Sequence, residues 1–540
     1  MTTVDDILIR LETLNAIGVA LSSERDISSL LERILEAAKD FAHADGGSLY
    51  LLENNYLRFE VLRNDSLGFN MGGKNGKPIP FPPLALHHLD GKANHAMVVA
   101  HAALTGETIN IPDAYTVEGF DFSGTRAFDQ RTGYRSQSFL TVPMKDHDGK
   151  VIGVLQLINA KSAHGQVQPF SDADQQLVES LASQAAIALN NRQLIQQLEH
   201  LFESLIQLIN SAIDEKSPYT GGHCERVPAL TMMLADAVSR CKTGPMANFV
   251  LSEKDQYELK IAGLLHDCGK ITTPIHVVDK ATKLHTLFDR IELIDTRFEV
   301  LFRDAEIAHL KGSLTALGYE QRMQQLVLER ARVRVSNLGG EAMDEADHQA
   351  IYKLAREMWT PFQAEPQPFL SAEELENLTI RRGTLNRAER EIINRHINLT
   401  ITMLETLPWP AHLKNVPEYA GGHHERMDGK GYPKGLTRDQ MSVQARIMGI
   451  ADIFEALTAR DRPYKPGKTL YESLTILGRM KLDGHIDPDL FDIFLSEHVY
   501  LDYAERFLEP SQIDKIFWEN LPGISPELAA KLSAEQALQA

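Results

Sequence analysis

Two adjacent histidines, His423 and His424, stand ahead of a charged loop in the stretch GGHHERMDGKGYP (421–433). Neighbouring residues on a regular helix point about 100° apart, so both imidazoles face one cation only where the backbone leaves the helix. Gly421 and Gly422 permit that departure. The later glycines give the loop room to pass close to a flat, bulky ligand, with Tyr432 offering a ring and a hydroxyl and Pro433 holding the turn. Without the histidines, the same loop reads as an ordinary surface turn. A second stretch, LLHDCGK (264–270), ends an apolar run and so puts His266 and Asp267 at the C-terminal end of a buried helix. An isolated carboxylate there must either pair, with Lys270 as the near partner, or ligate a cation. Asp452 has the same character inside RIMGIADIFEALT, while YTGGHCERV (219–227) and INRHI (393–397) add His223 and His396. Imidazole and carboxylate ligands suit Fe, Mn, Zn or Ni, and a set without thiolates argues against a structural zinc cage.

Something must hold these scattered residues together, and 540 residues supply two or three domains' worth of core. Three cysteines, Cys224, Cys241 and Cys268, have no framework spacing and point to a reducing compartment. No basic stretch precedes an apolar run at the N-terminus, and no run reaches the ~18 apolar residues of a membrane span. The chain therefore reads as cytoplasmic, with no membrane attachment. A formal net charge of −19 opposes binding to nucleic acid or anionic membranes. It still admits a small phosphate-bearing ligand, because metals and a few basic side chains outweigh a diffuse field at short range.

Apolar spacing predicts helices over 4–41 around the break SSERD, with the first 21 residues as an N-terminal helix. Strands follow at 47–53 and 56–62 with a turn at Asn54-Asn55, then a Gly/Pro-rich loop to about 95, a helix near 96–105, and strands at 138–144 and 151–159. The pattern is that of an antiparallel sheet flanked by helices, an α+β domain. One long helix is expected over 172–213, where Ile195, Leu198, Phe202, Leu205, Ile209 and Ala212 alternate spacings of three and four. Such a seam pairs two chains in a homodimer or packs against the chain's own domains. The remainder is helical, with a charged helical arm at about 285–383 and a helical extension over 501–540.

The segment FDQRTGYRSQSFLTVPMKDHDGKVIGVLQLINAK, with FSDADQQLVESLASQAAIAL after it, resembles the GAF family of small-molecule sensor domains, over about 22–190. Sensory phosphodiesterases of that family carry an Asn-Lys-Phe-Asp-Glu signature, but here Ala160 separates Asn159 from Lys161, and Gln175 follows Asp174. The resemblance leaves the sensor ligand unknown and admits a ligand-free scaffold.

HDCGK, HHERMDGKGYP and RDRPYK, in that order, resemble the HD-GYP family of cyclic dinucleotide phosphodiesterases over about 205–500, interrupted by the arm. The implied fold is an all-α HD-type phosphohydrolase domain. The implied cofactors are two divalent metals, Fe or Mn first and Ni or Zn as alternatives. Asp267 would bridge them, with His223, His266 and Asp452 around one and His396, His423 and His424 around the other. Lys270 and Lys465 would neutralise phosphate oxygens, Tyr432 would contact the ligand, and Arg462 would contact phosphate or guanine or else pair with Asp461. The implied activity is hydrolysis of cyclic di-GMP to pGpG, with GMP as an open alternative end product, tuned by the sensor half. Some members hold a third metal through a carboxylate on the first helix; Tyr219 is a poor substitute, and Asp214 and Glu215 lie further back. Against the family pattern, His266 and His396 are far apart in sequence, so the arm enters a loop beside the site and could cover it, set substrate choice or pack outside. Two rival readings stay open: the same chemistry on another cyclic dinucleotide such as cyclic GMP-AMP, and a catalytically silent nucleotide-binding signalling protein.

Overall fold

Asp26 opens the first long helix, α1 (Ile27–Phe41), by accepting from the Ser29 amide at 2.8 Å. The computed structural model describes residues 15–21, 23–24, 26–216, 222–340, 342–361, 365–460 and 467–539. The first part of the N-terminal helix, Tyr219, Arg462 and Lys465 lie outside the described residues. Contacts divide the chain into two units, Met1–Phe202 and Glu203–Ala540.

In the first unit, β1 (Ala44–Glu53) and β2 (Tyr56–Asn64) form the expected hairpin. Asn54 and Asn55 both take positive φ, 47° and 69°, the conformation that matches the right-handed twist of the strands. β3 (Phe69–Gly72) and β4 (Leu84–Ala85) pair with β2 inside the stretch read as a loop. They are too short and too evenly half-buried to show an alternating pattern in sequence. After α2 (Val98–Thr105) come β5 (Ile109–Ile111), α3 (Ser123–Thr132), β6 (Phe139–Lys145), β7 (Val151–Lys161) and β8 (Val167–Gln168). The sheet runs β3-β2-β1-β7-β6-β5 with β4 and β8 off that path, and every pairing is antiparallel. Alternation sends Leu49, Leu155 and Leu157 to a core shared with α1 and with Val178, Leu181 and Leu189, while Tyr50 and Val154 pack beneath α2. Both faces of the sheet are thereby covered.

Helix α4 (Asp172–Lys216) is continuous as expected. Its exposed apolar stripe is wider than the expected seam: Leu194, Leu201 and Leu208 join Leu198 and Leu205 in facing solvent.

The second unit is helical. It comprises α5 (His223–Arg240), α6 (Glu253–Leu265), α7 (Ile275–Val278), α8 (Ile291–Leu310), α9 (Ala316–Asn337), α10 (Glu345–Ala355), α11 (Ala372–Leu378), α12 (Arg387–Glu405), α13 (Val416–Gly421), α14 (Val443–Thr458), α15 (Leu470–Leu482), α16 (Pro488–Ser496), α17 (Val499–Phe507) and α18 (Pro526–Gln539). Capping boxes at Ser252/Asp255 and Asn386/Glu389 fix the starts of α6 and α12. α5 packs against both α6 and α14. The arm, α8 to α11 with a small β9/β10 pair (Met358–Trp359, Gln367–Pro368), owns a separate core around Phe298, Leu326, Val333, Ile351 and Phe369. It is tied to the start of α12 by buried Lys280, whose Nζ donates to both Glu389 carboxylate oxygens at 2.7 Å and to Asn377 Oδ1 at 2.9 Å. In the C-terminal extension, Tyr503 packs on Phe454, and Gln512 Nε2 donates to the carbonyls of Thr458 and Lys468. No described helix is long and apolar enough to cross a membrane.

Candidate metal centre

Four helices and two turns deliver the sequence-singled residues to one place. His223 begins α5, His266 caps the C-terminus of α6, Asp267 follows it, His396 lies in α12, His423 and His424 follow α13, and Asp452 lies in α14. The centre of the arrangement is Asp267. Its Oδ2 lies 3.1 Å from His223 Nε2 and 3.3 Å from His266 Nε2, and its Oδ1 lies 3.2 Å from His396 Nε2. Asp452 Oδ1 closes the first cluster at 3.5 Å from His223 Nε2 and 3.9 Å from His266 Nε2. His396, His423 and His424 form the second cluster. Lys270 Nζ donates to Asp267 Oδ2, so the ion pair weighed from the sequence exists within this constellation.

The ring tautomers indicate what the clusters could hold. The Nδ1 of His266, His396 and His423 donates to the carbonyl of Gly263, Ile393 and Ala420 at 2.7, 2.5 and 2.6 Å, and His223 Nδ1 donates to Glu455 Oε2 at 2.5 Å. Each Nε2 then presents a lone pair inward. Yet His223 and His266 bring their Nε2 atoms within 3.3 Å, and His396 and His424 do the same. Between His223 and His266, whose Nδ1 protons are both committed, lone pairs so close repel unless a cation or proton lies between them. Asp267 Oδ1 and His423 Nε2 are buried without a hydrogen bond, an expensive condition that metal ligation removes. The residues therefore fit divalent cations.

The local electrostatics agree for the second cluster. Burial, with the facing His266, pushes His423 down to about 4, and burial with His423 and His396 holds His424 well below the usual range, so both imidazoles are neutral. At His223 burial works downward, but Glu455 and Asp267 outweigh it and raise the imidazole to about 10. A cation bound there takes the place of that proton. Burial would raise Asp267, but Lys270 and His266 hold it well below the ordinary carboxylate range.

The glycines act differently from the sequence expectation. Gly422 has φ −93°, so it needs no unusual backbone. A Cβ there would lie 2.8 Å from Ala445 Cβ, and one on Gly421 would lie 2.7 Å from Ile401 Cγ1; these glycines let α13 approach α14 and α12 closely. A Cβ on Gly431 would fall 2.4 Å from Arg426 N, so that glycine makes room for the loop's own backbone. Glu425 organises the loop by accepting from the amides of Lys434 and Leu436 at 2.7 and 2.9 Å. Tyr432 stacks on His424 with ring centroids 4.9 Å apart.

Glu455 and Arg226 escaped the sequence reading. Glu455, buried one turn beyond Asp452, holds His223 Nδ1 and accepts from Arg226 Nε at 2.7 Å. Their spacing, three residues after Asp452 and three after His223, was the available signal. Asp214 lies beside Cys224 and joins neither cluster of possible ligands. In the first unit a cavity of about 560 Å³ is lined by Tyr50, Phe59, Phe122, Phe139 and Gln156 among others. Arg63 on its wall is committed to Glu32 at 2.9 Å and to the Met71 carbonyl at 2.7 Å.

Comparisons with known proteins divide the chain in the same way. A GAF domain model matches residues 26–189, and HD domain models match 220–348 and 372–490. The two HD matches both contribute to the one constellation: His223, His266 and Asp267 from the first, His396, His423, His424 and Asp452 from the second. The 3'3'-cGAMP-specific phosphodiesterase 1 of Vibrio cholerae is 37% identical over 133 residues, 24% of this chain and 30% of its own length. The 3'3'-cGAMP-specific phosphodiesterase 3 of that organism is 24% identical over 321 residues, 59% of this chain and 43% of its own. A cyclic di-GMP phosphodiesterase of Pseudomonas aeruginosa is 42% identical over 73 residues, 14% of this chain and 17% of its own. The chain thus spans less than half the length of these curated relatives. Among solved structures, the GAF domain of an Acinetobacter phosphoenolpyruvate-protein phosphotransferase is 21% identical, with a TM-score of 0.26 over 35% of this chain and 98% of its own.

Proposed function

We propose that this chain, which carries a GAF domain followed by an HD domain of the HD-GYP type, is a metal-dependent phosphodiesterase that hydrolyses cyclic di-GMP to pGpG under control of its GAF domain. The observation that carries the reading is Asp267, whose two oxygens face two separate histidine clusters while Lys270 lies against it. Two divalent cations held there, Fe or Mn by the ligand chemistry, supply charge that activates water and offsets the charge of a phosphodiester. The protein's own residues do the rest. His223, His266 and Asp452 would hold one cation, and His396, His423 and His424 the other, with Nδ1 anchors on His223, His266, His396 and His423 preventing rotation of those rings. Lys270, whose charge is reinforced by Asp267 and Asp452 despite burial, is placed to meet a non-bridging phosphate oxygen. Tyr432, stacked over His424, offers a ring edge to a flat base.

Cyclic GMP-AMP is the competing substrate, favoured by the names of the two Vibrio relatives. The test is to incubate protein purified without chelator with each dinucleotide under Fe(II) and Mn(II), and to follow products by chromatography. Cleavage of cyclic di-GMP in preference supports the proposal; faster cleavage of cyclic GMP-AMP reassigns the substrate; metal loading with neither cleaved refutes both.

Pairing of two chains along α4 is the second part of the proposal. Leu194, Leu198, Leu201, Leu205 and Leu208 repeat at alternating four and three residues and are between 46% and 66% exposed, the pattern of a self-complementary seam. Light scattering is expected to give a dimer for the native chain and a monomer for the Leu198→Glu/Leu205→Glu variant. A native monomer removes the pairing.

A further inference from the structure

The last residue of α4 reaches the backbone of the lysine that the proposed reaction uses. Lys216 Nζ donates to the carbonyl oxygen of Lys270 at 3.3 Å and, at shorter range, to that of Ile271. Both carbonyls belong to the 3-10 turn Cys268–Thr272 that follows Asp267. The exposed carbonyls at such a turn's end carry partial negative charge, and an ammonium with three donors can serve two of them at once.

Elsewhere the turn is already fixed. Lys270 N donates to the Asp267 carbonyl at 2.9 Å, Thr273 N donates to the Lys270 carbonyl at 3.0 Å, and Gly269 N donates to Thr400 Oγ1 at 3.0 Å. A Cβ on Gly269 would sit 2.1 Å from the His396 carbonyl, so the turn lies hard against α12. The solvent side of the turn is where Lys216 arrives. The closing turns of α4 that carry it are themselves seated, with Ile206, Asn210 and Ile213 buried. Lys216 is thus delivered by a held helix and not by a drifting tail.

We infer that Lys216 is a positioning residue for Lys270: by gripping the carbonyls of Lys270 and Ile271, it sets the direction in which the Lys270 side chain leaves the turn and keeps its Nζ at Asp267. The inference rests on the phosphodiesterase reading for its catalytic consequence. Its geometric content stands apart from that reading. Lys216 touches neither Asp267 nor any histidine of the two clusters in the contacts described, so its removal acts through Lys270.

Lys216→Met keeps the aliphatic stem and deletes the charge. It is expected to lower kcat/KM on cyclic di-GMP by about 10²-fold, the loss that accompanies a misplacement of about 1 Å at a reacting centre. Bound metal per chain stays unchanged, and Lys216→Arg recovers most of the loss. In a Lys270→Ala background the same substitution is expected to cost less than about twofold, because the residue it positions is gone. Equal losses in both backgrounds, or loss of metal with activity, would overturn the inference. A readout free of catalysis accompanies it: amine-reactive footprinting of the full chain, read by mass spectrometry, is expected to label Lys270 several-fold faster in Lys216→Met than in the native protein. An unchanged Lys270 rate overturns the positioning role. If the native protein cleaves neither dinucleotide, the phosphodiesterase reading fails, and the footprint alone decides the role of Lys216.

Discussion

Asp267→Asn is expected to lower cleavage of cyclic di-GMP by on the order of 10³-fold or more, the scale of losing a central electrostatic element of a site. Bound metal per chain should fall with it. The reason is that one carboxylate serves both clusters: Oδ2 faces His223 and His266, and Oδ1 faces His396. Asparagine keeps the shape but removes the charge, and its amide nitrogen would point a donor at one of the two clusters. Lys270 loses its ion-pair partner in the same step. Elemental analysis of the purified variant, with product chromatography, measures both effects. Retention of the native metal content would mean that Asp267 is a partner of Lys270 and not a shared ligand.

Glu455→Gln is expected to weaken metal binding by about 10- to 100-fold, the usual cost of removing a carboxylate behind a metal-binding histidine. Activity should return as metal is added in excess, which separates this variant from Asp267→Asn. Glu455 holds the Nδ1 proton of His223 at 2.5 Å and pairs with Arg226 at 2.6 Å. Opposed by burial, the charges of His223 and Arg226 nevertheless bring the Glu455 carboxyl down to about 2. Glutamine can still accept from one neighbour but removes the buried negative charge that Arg226 faces, at a cost of about 3 kcal/mol or more. Metal titration monitored by calorimetry, together with thermal unfolding of the metal-free variant, tests both statements. Unchanged metal affinity would remove Glu455 from the site.

The sequence by itself determined the longer elements. Alternating strands around Asn54-Asn55, the two apolar helices ending in His266 and carrying Asp452, and the long run from 172 are all local patterns, so periodicity and turn chemistry disclose them. The paired histidines and their glycines were also legible, because residue type and spacing survive without coordinates. What those glycines make room for was not: Gly422 and Gly431 are small because Ala445 and Arg426 lie against them, neighbours that only folding supplies. The same holds for the orientation of the rings. Of the five histidines, three are locked by backbone carbonyls three residues earlier and His223 by Glu455, and no side-chain pattern encodes where a carbonyl points. Tertiary structure alone brought Asp267 between clusters drawn from both sides of the arm, gave the arm its own core, and set Lys216 on the backbone of Lys270. Each of these is a contact between segments distant in sequence, fixed by packing and hydrogen-bond satisfaction rather than by local preference.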